Sequence, residues 1–361
     1  MKGYIRKVAM LVICIMLIMT TSIFAQNAAK GQAGLAGLAV KADGTPYLLG
    51  MISNEMRSGW VSSFIGYTES LWEHAGGKFK FFVSEYDMNV ELSQMNDLQE
   101  LNPAAILLHA SDSHAIAPGV AKAREAGFPV FALDVGVIGT AVDGFVHINQ
   151  LDLGKKDAAY VAKTFSASNP AVILELTGGL EQDIAIQRRD GFDNNLKNVP
   201  YAKIVQTIDT KWSSDNALKA VMDALERNPN INCIYGHSDF FVQGILQGLK
   251  LKNKLIPAGQ KGHIVLCSID GDPTGLKGVR DGYIDCIAEH SPILHAAILF
   301  NMIVAKLHGY PFPAEVVIDP PLVTKDNVGS QERWGNLPIG KFDQWPVLNQ
   351  TGFKLPAELV K

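Results

Sequence analysis

The chain has 361 residues, 47% of them hydrophobic and 19% charged, and carries a formal net charge of -4. That is enough apolar sequence for two domains with substantial cores, and a mildly acidic chain without a basic patch argues against nucleic acid or anionic membrane as a partner. After the N-terminus no stretch reaches the roughly 20 apolar residues of a membrane-spanning helix.

Lys2, Arg6 and Lys7 precede an apolar run over 8–19, and small and polar residues follow up to Ala25 and Gln26. This is the layout of a secretory signal peptide over 1–25, cut after Ala25, which predicts export to the periplasm. Cys14 stands behind Ile13 rather than behind the small residue a lipoprotein signal requires, so lipid attachment there is not expected. Residues 26–45 are rich in Ala and Gly with little periodicity and read as a flexible leader, with folded structure starting near Pro46.

From there short apolar runs at 47–52, 79–83, 104–109, 129–134 and 145–148 alternate with amphipathic stretches at 58–74, 90–101 and 114–126. A second series repeats the rhythm, with strands at 171–176, 203–208, 231–235, 263–269 and 283–288, and helices at 183–197, 213–227 and 239–249. Continuous apolar strands separated by helices predict parallel sheets covered on both faces. The expected fold is α/β, with two doubly wound parallel-sheet lobes. A long helical stretch at 293–307 returns the chain to the first lobe, and residues beyond Lys325, with Trp334 and Trp345 among Gly and Pro, read as an irregular tail.

Cys233, Cys267 and Cys286 sit inside apolar strand-like runs and read as buried free thiols. No CxxC or His/Cys spacing suits a metal, and His109 and His114 fall five apart across a strand-to-helix junction without a partner, so neither metal nor cofactor is expected. Nucleophile elbow, Walker A and dinucleotide fingerprints are all missing. A carboxylate pair such as Asp134 with Glu289 would serve glycoside hydrolysis, and spacing along the chain leaves that open.

In open α/β sheets ligands bind beyond the carboxyl ends of the strands. Those ends are polar or aromatic here: Ser53 to Trp60, His109 to Asp112, Asp134, Thr177 to Asp183 followed by Arg188, Asp209 with Trp212, Gly236 to Asp239, Asp270 with Gly271, and Glu289 with His290. Carboxylates and a guanidinium hold hydroxyls by charge-assisted bonds, and indoles cover the apolar C–H faces of a sugar ring. The rims therefore suit a polyhydroxylated ligand. Strand-end residues such as Asp239 and Ser213 would instead cap the helices that follow them.

Four stretches carry a family resemblance: 106–113 through 127–134, 185–192, 236–239 and 268–273. In order and spacing they resemble the type I periplasmic sugar-binding proteins of ABC transporters, including ribose- and galactofuranose-binding proteins. The resemblance spans about Tyr47 to Thr324. It implies two lobes joined by a three-strand hinge with crossings near Ile148, Glu289 and Leu322. Residues 46–148 with 290–322 then form the first lobe, and 149–289 with 323–361 the second lobe and tail. It further implies that Trp60 and Trp212 cover opposite faces of a sugar and that Asp134, Arg188 and Asp270 bond its hydroxyls. His109 and Ser238 stand where ribose binders use Asn, Val135 replaces an Arg, and Glu289 and His290 fall in the segment that crosses back between lobes. The implied protein is a monomer, not an enzyme, that delivers a sugar or polyol to a membrane permease. The alternative is a sensor presenting it to a chemoreceptor or sensor kinase.

Overall fold

A computed structural model describes residues 34–330, 332–346 and 353–359. The signal-peptide assignment lies outside these residues. The first lobe opens with β1 (Leu48–Ser53), α1 (Gly59–His74), β2 (Lys78–Val83), α2 (Met88–Glu100), β3 (Ala105–His109), α3 (Ala117–Glu125), β4 (Val130–Leu133) and β5 (Gly144–Ile148). β3 and β4 are buried along their whole length, because helices cover both faces of the sheet, whereas the edge strand β2 alternates in exposure. α1 begins where Ser58 Oγ accepts the Val61 N–H, and it buries Trp60, Phe64, Tyr67, Leu71 and Trp72 along one face.

The second lobe contains α4 (Gln150–Thr164), β6 (Ala171–Thr177), α5 (Asp183–Leu196), β7 (Ala202–Asp209), α6 (Ser214–Arg227), β8 (Cys233–Gly236), α7 (Val242–Leu251), β9 (Val265–Asp270), α8 (Pro273–Asp281) and β10 (Cys286–Glu289). α9 (Pro292–Leu307) then packs back on α1 and β5, β11 (Glu315–Ile318) joins the first sheet, and β12 (Leu322–Thr324) joins the second. The sheet orders are β11-β5-β4-β3-β1-β2 and β12-β10-β9-β8-β6-β7. Every pairing is parallel except β10 with β12. The backbone thus passes between the lobes at 149–150, 290–291 and 319–321.

Two helices, α4 and α8, are not announced by the apolar pattern, and α4 is the longer. Its buried face is Leu153, Gly154, Asp157, Ala158 and Val161, in which a glycine and an aspartate interrupt the apolar stripe. The leader assignment is also too long. Leu35, Leu38 and Ala39 are buried, Ala39 N–H donates to Ala75 O at 2.9 Å, and Tyr47 N–H donates to Ala39 O at 2.9 Å. Three apolar groups at helical spacing close the end of α1, which composition alone reads as a linker.

The tail is not confined to the second lobe. Trp334 Nε1 donates to Asp270 O at 2.7 Å on that lobe. On the first lobe Trp345 packs against Tyr67 at 5.5 Å, Tyr67 Oη donates to Pro346 O at 2.6 Å, and Asn301 Nδ2 donates to Phe353 O at 2.9 Å. Both indoles are fully buried, so the tail is a strap built from its two largest apolar groups.

Candidate functional site

In each lobe the sheet order reverses beside its first strand, and the loops leaving β1, β3, β6 and β8 meet there across a cleft. The lobes are closed on each other. Gln150 Nε2 donates to Asp134 Oδ1 at 2.6 Å, Gln182 Nε2 to Ala110 O at 3.2 Å, and Ser113 Oγ to Asp183 Oδ1 at 3.1 Å, all between lobes. They enclose a cavity of about 60 Å³.

A connected set of charges forms the floor. Arg188, on the buried side of α5, donates from Nε to Gln150 Oε1 at 2.7 Å and from Nη1 to His237 O at 2.6 Å, and its Nη2 lies 3.1 Å from His290 Nδ1. Nη1 is also 3.9 Å from Asp270 Oδ1. His290 sits between two carboxylates, with Nδ1 3.4 Å from Asp270 Oδ1 and Nε2 3.0 Å from Asp134 Oδ1. The Nε2 contact falls outside hydrogen-bonding geometry. Burial opposes the ionisation of Asp134, yet His290 and Arg188 outweigh it and hold the carboxyl well below the usual carboxylate range. Burial also opposes a charged His290, but the two carboxylates outweigh it and raise its pKa.

Asp270 is fixed from behind. Ser238 Oγ donates to Asp270 Oδ2 at 2.5 Å and Asp239 N–H to the same oxygen at 3.2 Å. The Asp239 carboxylate accepts from Gly271 N–H at 2.7 Å, Asp272 N–H at 3.0 Å and Ser268 Oγ at 2.6 Å. It braces the turn that carries Asp270 rather than capping the helix after it, whereas Ser213 does cap α6. Asp134, Trp212 and Asp270 have φ of 57°, 50° and 115°. Three cleft residues in the left-handed region are backbone strain concentrated at one site.

Trp60 and Trp212 enter from opposite lobes. Trp60 Nε1 donates to His290 O at 2.8 Å, and its ring stacks on His290 at 4.5 Å. The Arg188 guanidinium lies over the Trp212 ring at 5.7 Å. Trp212 rests against Gly178, where any Cβ would overlap the indole, so this glycine is the seat of the ring and not only a turn before a helix. His109 Nδ1 and Trp212 Nε1 are buried without a protein partner. Burial brings His109 down to about 4, against the pull of Asp134, leaving a neutral ring beside the charged floor.

The family model for the periplasmic binding protein domain matches residues 49–311. The chain belongs to the periplasmic binding protein family. The D-allose-binding periplasmic protein of Escherichia coli is 27% identical over 67% of this chain and 80% of its own length. The galactofuranose-binding protein of the same organism is 24% identical over 72% of this chain and 81% of its length. A crystal structure of a galactofuranose-binding protein superposes with a TM-score of 0.73 at 21% identity, covering 78% of this chain and 96% of that one. The two parallel-sheet lobes expected from the sequence are therefore those of this family.

In this periplasmic binding protein Trp60, His109, Asp134, Arg188, Trp212, Ser238, Asp270 and His290 line one cleft. Glu289 does not join them. Its carboxylate pairs with Arg333 and accepts the Trp334 N–H at 3.2 Å, because successive residues leave a strand on opposite sides, which sends Glu289 to the tail while His290 faces the cleft. The Asp134 and Glu289 pair considered for hydrolysis is accordingly not assembled. His114 is exposed and away from His109. Sequence reasoning missed Gln150, which follows the first hinge crossing and joins Asp134 to Arg188, and Tyr86 and Phe240 on the rim. Gln150 is the first residue of the overlooked α4, and recognising that helix start was the signal that would have found it.

Proposed function

We propose that this periplasmic binding protein is exported, captures a sugar or sugar-like polyol between its lobes and hands it to an ABC permease without chemical turnover. The observation that carries the reading is the floor of Asp134, Arg188, Asp270 and His290, walled by one indole from each lobe. Two carboxylates face one guanidinium and one imidazole whose pKa they raise, so each carboxylate has a partner within the protein, which favours a neutral ligand. The carboxylates accept from hydroxyls, Arg188 and Trp212 Nε1 donate, neutral His109 does either, and the rings cover C–H faces. Closure brings these groups together only when both lobes meet, which couples ligand binding to a shape a permease can distinguish.

Titration calorimetry of the mature chain against neutral sugars and polyols, with D-allose, a galactofuranoside, ribose and xylitol included, tests this. One or more should bind and reduce the radius of gyration in solution scattering. Binding of no carbohydrate would sink the reading, and loss of intact ligand on prolonged incubation would replace it with a hydrolase.

A further inference from the structure

Beneath the second sheet lies a group of titratable side chains that do not line the cleft. Cys267 and Cys286 are register partners on neighbouring strands β9 and β10, so both thiols leave the same face of the sheet. Tyr235 pairs with Cys267 across β8 and β9, which puts Cys233, two residues earlier, on that face as well. α4 covers it and sends Asp157 down onto the thiols. All four side chains have no solvent exposure.

One ligand atom from each of Asp157, Cys267 and Cys286 lies within 4.8 Å of the others. The Cys286 thiol donates to Asp157 Oδ1 at 3.3 Å, and Asp157 Oδ2 has no hydrogen-bond partner. A tetrahedral zinc ion with Zn–S of about 2.3 Å and Zn–O of about 2.1 Å separates its sulfur and oxygen ligands by about 3.5 Å. The Cys286 to Asp157 distance of 3.3 Å is close to that. A buried carboxylate with only a thiol for a partner is unfavourable in either protonation state: ionised it lacks a counter-charge, and protonated it leaves polar capacity unmet. A divalent cation removes both difficulties.

We propose that Asp157, Cys267 and Cys286 form a closed structural site in the second lobe for a divalent cation of the zinc class, with Cys233 the nearest group for a fourth position. Binding releases to solvent whatever protons the carboxyl and the two ligating thiols carry, leaving two thiolates and one carboxylate on the metal. Because the ligands come from α4, β9 and β10, separated by long stretches of chain, no motif spacing announces the site. Full burial means the cation is taken up as the lobe folds.

The test uses the mature chain, unfolded with chelator and reductant and refolded with zinc, with cobalt, or with neither. The expected result is one zinc retained per chain after gel filtration, a higher unfolding temperature with zinc than without, and thiolate-to-metal charge-transfer absorption with cobalt. Cys267→Ser and Asp157→Asn should each weaken retention by about tenfold or more. If those variants do not fold, the zinc content and cobalt spectrum of the parent chain decide alone. Refolding with no zinc retained and no cobalt band overturns the proposal, as does a Cys267–Cys286 disulfide seen as a mass loss of two hydrogens. Neither result bears on sugar binding, which is measured separately.

Discussion

Arg188 is the residue on which the cleft converges: its guanidinium reaches Gln150, the His237 carbonyl, His290 and the Trp212 ring. Removing it leaves those partners buried and unpaired. Arg188→Ala or Asp270→Ala should therefore weaken sugar binding by about 2 kcal/mol, roughly 30-fold, in calorimetry, and unchanged affinity in both would place the cleft elsewhere. A second residue sets a pH dependence away from the ligand. Glu175 is fully buried, accepts from Thr207 Oγ1 at 2.8 Å and lies 3.4 Å from His237 Nε2. Burial pushes its pKa up to about 7, against the Thr207 bond. The unfolded chain loses this proton at the ordinary carboxylate pKa, so between there and about 7 the folded state binds more protons and stability falls as pH rises. Glu175→Gln should unfold at a higher temperature than the parent at about pH 8, and the difference should vanish near about pH 4.

At the scale of elements, α4 and α5 approach so closely that their glycines touch the facing backbone. A Cβ on Gly154 would meet Arg188 O and Phe192 N, and one on Gly191 would meet Leu151 O and the rest of that residue's main chain. Main-chain atoms cannot rotate aside as a side-chain tip can. Gly191→Ala should push α5 away from α4, costing about 1–3 kcal/mol in chemical denaturation. It should also loosen sugar binding, because the displacement separates Arg188 on α5 from Gln150 at the start of α4. A destabilised variant with undiminished affinity would show that this helix pair does not position the guanidinium.

For the whole molecule, three hinge passages and the C-terminal strap connect the lobes. The strap buries Arg333 against Glu289 and seats Trp334 on the second lobe, then seats Trp345 on the first. Ending the chain at Ser330 strips Glu289 of its counter-charge and of the Trp334 N–H, and removes both buried indoles. Since the apolar area the two indoles bury is lost together with the ion pair, the truncated chain should unfold at distinctly lower denaturant concentration. Its ligand-free form should also have a larger radius of gyration, as one link between lobes is gone. An equally stable, equally compact truncation would make the tail dispensable.

The order of most strands and helices was legible in the chain because the central strands are buried on both faces and declare themselves as apolar runs, while polar residues gather at the strand ends. From those ends Trp60, His109, Asp134, Arg188, Trp212, Ser238, Asp270 and His290 were nominated, and all meet at one cleft. Glu289 was misplaced because adjacent residues on a strand face opposite sides, and only the packed sheet fixes which side is which. α4, with Gln150 at its start and Asp157 on its buried face, escaped because a polar or charged group inside an apolar stripe looks like an interruption until its partner is known. The folded leader and the strap escaped for the same reason: their contacts lie far along the chain. Local pattern thus determined the two-lobed fold and the rims of its cleft. Tertiary structure alone decided which charges pair, how the lobes are tied, and where three cysteines and an aspartate meet, because those depend on distances that sequence separation does not encode.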